Sequence, residues 1–279
     1  MKKYFISLLS IFIGAVFFTS CDLFKMDNYD GPTETLKGEV VDAATGERVL
    51  TDQTGNGIRI RLRELSWTET EVPGDFDILV MKEGNYQNTK LFAGHYNVRA
   101  DGPFIPLVRL NQQGDTIADE SKYIDISGGV TELKFEVQPF LKVEWVGQPI
   151  VNRADSTITV SFKVTRAVSP EVFRQKIEPM GAYNANFTEV SDIRLFVYQT
   201  AYVGLNQFDT DYSRVSPADY DYAGNSFESL LGETITVTTD GKIFPGRTVF
   251  IRAAARIRYM TEGVSRYNYN EAIRVDMPR

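Results

Sequence analysis

Apolar and polar residues alternate in many short segments of this chain, and that period of two restricts its fold more than any other feature. Residues 57–63 are Gly-Ile-Arg-Ile-Arg-Leu-Arg, with an apolar side chain at every second place. Successive side chains of a strand point to opposite faces, so the pattern predicts strands with one buried face and one wet face. Turns rich in glycine, proline, asparagine and aspartate separate the segments. The sequence therefore predicts an all-β fold.

The strand segments fall into two sets, which predict two consecutive antiparallel β-sandwiches. The first set, within residues 31–138, comprises residues 36–42, 57–63, 76–81, 96–100, 107–110, 123–126 and 133–137. The second set, within residues 139–279, comprises residues 140–146, 157–164, 193–198, 233–238, 249–259 and 272–275. Pro139 separates the sets with few residues on either side, so we expect the two domains to lie against each other.

One segment of the second domain breaks the strand pattern. Residues 169–177 are Ser-Pro-Glu-Val-Phe-Arg-Gln-Lys-Ile. Ser169 suits a helix N-cap, and Pro170 suits the first helical position. Phe173 and Ile177 are four residues apart and would share one face. The sequence therefore predicts one short helix across an end of the second sandwich.

The first twenty residues have the organisation of a secretory signal peptide. Two lysines stand near the start, residues 4–18 are almost wholly apolar, and the small residues Thr19 and Ser20 follow. The apolar run of roughly 15 residues is shorter than the ~20 that a membrane-spanning helix needs. We therefore expect residues 1–20 to be removed.

Cys21, the only cysteine of the chain, stands at the expected cleavage point. Residues 18–21, Phe-Thr-Ser-Cys, resemble the lipobox of bacterial lipoproteins in the loose form found in Bacteroidetes. The resemblance implies that the Cys21 thiol is acylated, and several acyl chains on one residue would anchor the mature chain stably in a membrane. A chance thiol beside a cleaved leader is the alternative. Residues 21–32 are polar, acidic and closed by Gly-Pro, which indicates a flexible tether.

Charge near the tether and over the whole chain bears on where the protein works. Asp22, Asp27 and Asp30 follow the cysteine and resemble a surface-export signal of Bacteroidetes lipoproteins. That resemblance implies the outer membrane, with the protein facing the cell exterior. The formal net charge of −7 argues against nucleic acid as a partner, because phosphate binding needs a basic surface.

Two stretches of the first domain carry a family resemblance. Residues 36–47, LKGEVVDAATGE, and residues 84–98 resemble two hairpins of carboxypeptidase-regulatory-like domains, which are transthyretin-like sandwiches. Asn-Thr-Lys-Leu-Phe at residues 88–92, with Gly94 and Tyr96, is similar to a two-domain Bacteroidetes lipoprotein family of the domain-of-unknown-function 3823 type. That resemblance implies a gene in a polysaccharide-utilisation locus, and partners among Sus-like transporters and neighbouring lipoproteins.

The second domain carries a weaker resemblance, which concerns its fold alone. Trp145 on an early strand and the late segment 247–255 resemble an immunoglobulin-like or fibronectin type III-like sandwich. The cysteine pair of true immunoglobulin domains is absent from the sequence. We expect Trp145 to belong to the core of this domain.

A long insertion between strands, residues 198–225, is rich in tyrosine, aspartate, asparagine and glycine. Long loops inside compact domains are often functional. A tyrosine ring can cover the apolar face of a sugar, while carboxylates and amides pair with sugar hydroxyls. The loop therefore favours a glycan-binding site. Its candidate residues are Tyr202, Phe208, Asp209, Asp211, Tyr212, Tyr220, Asp221 and Tyr222, together with Trp67 in a polar stretch of the first domain.

Two other interpretations of this loop stay open. Its tyrosines can pack the loop onto the sandwich while its carboxylates only face water. The pairs Asp209/Asp211 and Asp219/Asp221 can contribute to a calcium site, although they lack the ligand order of the helical calcium loop. No cofactor or metal is predicted, and His95, the sole histidine, is expected on a hairpin surface.

Two functional hypotheses follow from these patterns. No arrangement of acid, base and nucleophile is recognisable in the sequence, so we do not expect an enzyme. The first hypothesis is a non-catalytic cell-surface lipoprotein that binds polysaccharide or oligosaccharide in a utilisation system. The second is a structural or assembly role, docked onto a Sus-like outer-membrane transporter. Aromatic residues in a concave wet groove would favour the first, and a flat apolar patch the second.

Replacing Cys21 tests the lipid anchor. Cys21→Ser removes the thiol that would be acylated, so we expect the protein to leave the membrane fraction of the native host and to lose label from an alkyne-tagged fatty acid. Ser20→Ala keeps a small residue before the cysteine and should retain both properties. Membrane-bound, labelled Cys21→Ser protein would show that the lipobox assignment is wrong.

Overall fold

The computed structural model describes residues 31–66, 74–215 and 227–279. The described residues form eighteen strands and one α-helix, so the predicted all-β fold with a short helix is confirmed. Within these ranges no helix is both long enough and apolar enough to cross a membrane.

Residues 34–137 form two facing sheets and a small hairpin. Their strands are β1 Glu34–Asp42, β2 Arg59–Glu64, β3 Asp75–Leu79, β4 Asn85–Leu91, β5 Gly94–Asp101, β6 Val108–Leu110, β7 Thr116–Asp119, β8 Lys122–Ile126 and β9 Val130–Val137. One sheet has the order β4-β1-β9 and the other β3-β2-β5-β8, while β6 and β7 pair separately. Apolar side chains from both larger sheets meet in one core. The alternation in the sequence did not mark β4 and β7, because both are mostly polar and exposed.

One strand pair departs from the predicted antiparallel arrangement. Strand β1 lies between β4, which is antiparallel to it, and β9, which is parallel to it from Thr35↔Val130 to Asp42↔Val137. Parallel neighbours need a long crossover connection. Here β2 to β8 form that connection, so the first and last strands of this sandwich pair directly.

Residues 141–276 form the second pair of sheets. Their strands are β10 Leu141–Trp145, β11 Ile150–Asn152, β12 Thr157–Arg166, β13 Val190–Tyr198, β14 Arg214–Val215, β15 Thr234–Thr238, β16 Thr248–Ile257, β17 Asn268–Tyr269 and β18 Ile273–Asp276. Strand β12 pairs with β10, β11 and β15. In the other sheet β13 pairs with β14 and β16, and β16 also pairs with β17 and β18.

The helix and the tryptophan of this second part lie where the sequence predicts. Helix α1 spans Pro170–Ile177, and the Ser169 hydroxyl accepts a hydrogen bond of 3.2 Å from the Val172 amide. Phe173 and Ile177 are buried on its inner face. Trp145 packs edge-on against Phe162 of the core, with ring centroids 6.1 Å apart.

Strand β16 is buried on both faces, and its outer face forms the contact between the two sandwiches. Ile251 and Ala253 on one face join the core of the second sandwich. Ala254 on the other face packs with Phe196 of β13. This outer face is covered by residues 199–209 and by residues 50–57 of the first sandwich. We call the contact region between these segments the seam.

The wet face of β2 and β3 carries a ladder of ion pairs. Arg63 Nε lies 2.7 Å from Asp75 Oδ1, and Arg61 Nε lies 2.9 Å from Asp77 Oδ1. The strand register sets Arg63 opposite Asp75 and Arg61 opposite Asp77. Cross-strand pairs of opposite charge stabilise a sheet modestly. The Arg63 hydrogen bonds hold the pKa of the Asp75 carboxyl below its usual value of 3.8.

Asp75→Asn tests this pairing through pH. The pKa of Asp75 is lower in the folded state than in the unfolded state. Ionised Asp75 therefore adds to the free energy of unfolding above its unfolded-state pKa, and this stabilisation is lost as the pH falls through its folded-state pKa. We expect Asp75→Asn to reduce the free energy of unfolding by less than about 1 kcal/mol at pH 7 and to weaken the acid dependence, measured by urea unfolding from pH 7 down to pH 2. Arg63→Gln should have the same effect, and the double variant should add nothing. Additive losses would contradict a direct pair.

Candidate functional site

Arg252 of β16 lies at the centre of the seam, where its side chain is 2% exposed. Its Nε donates to the Asn270 carbonyl at 2.8 Å. Its Nη1 donates to the Thr51 carbonyl at 2.9 Å and to the Val203 carbonyl at 3.4 Å, and Nη2 donates to the Lys82 carbonyl at 3.4 Å. One guanidinium therefore joins the second sandwich to two segments of the first.

Among the described residues, no carboxylate forms an ion pair with Arg252. Its guanidinium carbon lies 4.3 Å from the centre of the Tyr269 ring, a cation–π geometry. Burial lowers the pKa of Arg252 to about 10, so the group still carries its charge at neutral pH. Burial also raises the pKa of the Tyr269 hydroxyl, which stays protonated and able to donate.

Asp52 of the first sandwich accepts a hydrogen bond from the hydroxyl of Tyr269, the residue whose ring stacks on Arg252. Its buried Oδ2 lies 3.5 Å from the Tyr269 hydroxyl. The same oxygen accepts from the backbone N–H and the side-chain Nδ2 of Asn206, at 3.3 and 3.1 Å. A second Asn206 Nδ2 hydrogen bond, of 2.6 Å, reaches the Thr54 hydroxyl. The 199–209 loop is therefore pinned to the first sandwich through Asn206.

Two further side chains extend the seam. Arg266 Nη1 donates to the carbonyls of Gly55 and Gly57, at 2.9 and 2.7 Å. Asn268 Nδ2 donates to the Pro103 carbonyl at 3.1 Å. Because side chains of the second sandwich meet backbone carbonyls of the first at several points, the two sandwiches are fixed to each other. The expected contact between the domains is thus present.

A polar cleft of roughly 350 Å³ opens beside this network. Tyr202 stands at it with its side chain 56% exposed. The other lining residues are Asp52, Gln53, Thr54, Asn206 and Gln207. One exposed aromatic ring thus shares a concave wet surface with three amide side chains. This combination can hold a polar ligand that has a flat apolar face.

A tight turn after Tyr202 shapes this cleft. Gly204 and Gln207 exchange two backbone hydrogen bonds of 3.1 Å, and Val203 before them is buried in the seam. A Cβ on Gly204 would lie 3.2 Å from Asp52 Oδ2, tighter than an ordinary contact. Glycine therefore lets the turn approach the Asp52 carboxylate closely enough for the Asn206 hydrogen bonds.

Of the predicted sugar-binding rings, Tyr212 is buried and Phe208 is half-buried, and neither lines the cleft, so those assignments are corrected. Tyr212 is 9% exposed and packs into the core of the second sandwich. Phe208 is partly buried against the seam cluster, with its ring centroid 5.4 Å from that of Phe196. Both rings pack against apolar side chains, because the loop folds back over β13. Tyr202 keeps the exposure that the prediction requires.

Of the two described aspartates of the loop, only Asp209 shapes the backbone. Asp209 Oδ1 accepts from the Asp211 amide at 2.9 Å, and the Asp209 carbonyl accepts from the Ser213 amide at 2.9 Å. Asp209 is thus a turn-forming residue, and Asp211 is exposed away from the cleft lining. The described part of the chain holds no group of three His, Cys, Asp or Glu side chains suited to a metal ion.

Several predicted residues lie outside the described ranges. These are Cys21, Trp67, Asp219, Tyr220, Asp221 and Tyr222. Their assignments stay predictions.

Sequence reasoning missed the first-domain half of the cleft. Gln53 and Thr54 belong to residues 51–57, Thr-Asp-Gln-Thr-Gly-Asn-Gly, a polar turn that resembles many others in the sequence. It also missed Arg252, whose place in the alternating segment 249–259 looks like any wet-face arginine. The sequence held only a weak signal that Arg252 is buried. Ala253, Ala254 and Ala255 after Arg252 indicate close packing on both faces of that strand.

Arg252→Met tests the seam. The change leaves the carbonyls of Thr51, Val203 and Lys82 without their buried donor, so we expect the free energy of unfolding to fall by more than about 2 kcal/mol in urea. Arg247→Met is a matched control, because Arg247 is exposed and stacks on Phe244, and it should change stability by less than about 0.5 kcal/mol. Equal stability of the two variants would contradict a seam held by Arg252.

Solved structures similar to this chain include proteins from Bacteroides and Parabacteroides species. A DUF3823 family protein from Bacteroides uniformis ATCC 8492 is 50% identical, with a TM-score of 0.82, and the match covers 88% of this chain and 100% of that one. A DUF3823 family protein from Parabacteroides merdae ATCC 43184 has the same fold at 17% identity and a TM-score of 0.57, over 88% of this chain and 100% of that one.

A further structure from Bacteroides uniformis ATCC 8492, provisionally named a carbohydrate-binding protein, is 22% identical with a TM-score of 0.61. It matches over 88% of this chain and 100% of that one. No protein-family model and no curated protein matches the chain. The first of these relatives is 50% identical and is matched over its whole length. The family resemblance noted in the sequence is therefore confirmed, and the chain belongs to the DUF3823 family.

Proposed function

We propose that the protein is a non-catalytic, lipid-anchored protein of the outer cell surface that binds neutral glycan in the cleft beside Tyr202. The observation that carries this proposal is the exposed Tyr202 ring in a cleft that amide side chains also line. A sugar ring has an apolar face that stacks on tyrosine and a rim of hydroxyls that pair with amides.

The charge of the cleft favours a neutral ligand. Asp52 is the one charged residue among the described residues that line it, and its Oδ2 already accepts from Asn206 and Tyr269. A uronic acid or sulfated sugar would meet this buried negative charge, and none of the described residues that line the cleft is a cation. The amides of Gln53 and Gln207 lie in the same cleft and can donate and accept.

The cleft also favours binding over hydrolysis. Glycoside hydrolysis needs two carboxyl groups about 5–10 Å apart across the sugar. The lining contains one carboxylate, and that carboxylate is engaged in holding the seam. The similar structure that is provisionally named a carbohydrate-binding protein supports the ligand class without identifying the sugar.

The cell-surface part of the proposal depends on the N-terminal sequence. The leader, Cys21 and the acidic residues that follow it favour acylation and display at the cell surface. The first described strand begins at Glu34, so only a short tether separates the anchor from the folded domains. Glycan held in the cleft would stay close to the outer membrane, where a Sus-like transporter could receive it.

Tyr202→Ala tests the cleft. We expect the mature chain, residues 21–279 with Cys21→Ser, to be retarded in native gels containing a neutral polysaccharide, from a panel of barley β-glucan, xyloglucan, galactomannan and inulin. Loss of the stacking ring should weaken binding about tenfold, since a stacked ring contributes roughly 1.5 kcal/mol. Titration calorimetry with the retarding polysaccharide measures the change.

Two comparisons make this test specific. Tyr202→Phe keeps the ring and should bind within about twofold of the parent protein, since only the hydroxyl is lost. Polygalacturonate, an anionic polymer, should not retard the protein. Unchanged binding by Tyr202→Ala would remove the cleft from the proposal. If no polysaccharide retards the parent protein, the assembly role takes its place, and the next measurement is recovery of the transporter with the protein from outer membranes.

A further inference from the structure

A second aromatic surface lies on the first sandwich, apart from the residues that line the cleft. Tyr123 on β8 and His95 on β5 have ring centroids 6.4 Å apart and ring planes inclined by 26°. The register pairs His95 with Asp125 and Asn97 with Tyr123, so the two rings are diagonal neighbours on one face of the sheet. Both residues are exposed, Tyr123 by 60%. The two ring planes are therefore close to parallel, and both rings are open to solvent.

Hydrogen bonds fix the strand and the side chains around these rings. His95 Nδ1 lies 2.8 Å from Asp125 Oδ1, and the His95 backbone N–H donates to the Ser66 hydroxyl at 2.7 Å. Asn97 Nδ2 donates to the Ser121 hydroxyl at 2.6 Å. A ring held by its neighbours loses less conformational entropy when it binds a ligand.

Polar groups continue the surface across the sheet. The register places Tyr123 beside Asn97, Asn97 beside Arg63 and Arg63 beside Asp75. Arg63 makes two hydrogen bonds to Asp75, of 2.7 and 3.1 Å, which fix the position of its guanidinium. An aromatic ring, an amide, a guanidinium and a carboxylate thus stand in one row.

We propose that Tyr123 and His95 form a second glycan platform, which takes the flat apolar face of neutral sugar residues in a polysaccharide chain. Asn97 and Arg63 beside them offer partners for the sugar hydroxyls. The proposal shares its ligand class with the proposed function and concerns a different surface. A chain held at both places would be bound more firmly than at either one.

The size and charge of the surface favour a sugar over a protein partner. Two partly exposed rings make a smaller surface than the about 800 Å² that each partner contributes to a stable protein interface. The Arg63 charge is already paired with Asp75. The Asp125 carboxylate beside His95 is largely exposed and would repel an anionic sugar. A neutral glycan needs only the ring faces and nearby hydrogen-bonding groups.

The double variant Tyr123→Ala, His95→Ala tests the platform with the polysaccharide that retards the parent protein. Loss of both rings should weaken binding of that polysaccharide about tenfold in titration calorimetry, with an unchanged circular dichroism spectrum. Tyr123→Phe keeps the ring and should bind like the parent protein. Phe244→Ala is a matched control, because Phe244 is 61% exposed on the second sandwich and outside both surfaces.

Comparison with Tyr202→Ala separates the two proposals. If the double variant binds like the parent protein while Tyr202→Ala is weakened, the platform is wrong and the cleft stands. If the double variant is weakened while Tyr202→Ala is not, the platform stands and the cleft is wrong. If Phe244→Ala loses as much affinity as the double variant, the effect is not specific and the platform is overturned. Absence of binding by the parent protein to every polysaccharide overturns both.

Discussion

The arrangement of this molecule depends on one buried cation. Arg252 gives up its hydration at the seam, which is unfavourable unless its donors find other acceptors. Carbonyls of Thr51, Val203 and Lys82 supply them, and the Tyr269 ring covers one face of the guanidinium. These acceptors come from both sandwiches, so the hydrogen bonds form together only in one relative placement of the two domains. The charge thereby selects a docking geometry that apolar contact alone would specify less sharply.

The two proposed binding surfaces depend on that placement to different degrees. The Val203 carbonyl that accepts from Arg252 lies next to Tyr202, and Asp52 holds Asn206 on the other side of the turn. The cleft exists because residues of the first sandwich form one wall and the 199–209 loop forms the other. The Tyr123 and His95 rings depend only on the sheet of the first sandwich. Damage to the seam should therefore disturb the cleft more than the platform.

Much of the fold could be predicted because its signals are local. Alternation located most of the longer strands, and the Ser169 cap located helix α1. Alternation did not mark strand β4, because its sequence, Asn-Tyr-Gln-Asn-Thr-Lys-Leu, is mostly polar and lies at a sheet edge; only the family resemblance of residues 84–98 to a hairpin covered it. The candidate site was predicted less well. Loop composition pointed to tyrosine, yet composition cannot tell that Tyr202 faces water while Tyr212 enters the core.

By itself, the sequence determined the strand pattern, the short helix and the expectation of a lipid anchor after a cleaved leader, because each depends on residues close together in the chain. Tertiary structure alone decided the seam, the cleft and the pairing of Tyr123 with His95. Arg252 meets Thr51 across 201 residues of sequence, and Asn206 meets Asp52 across 154. No local pattern encodes such a contact, since only the packing of the two sandwiches brings those groups within hydrogen-bonding distance.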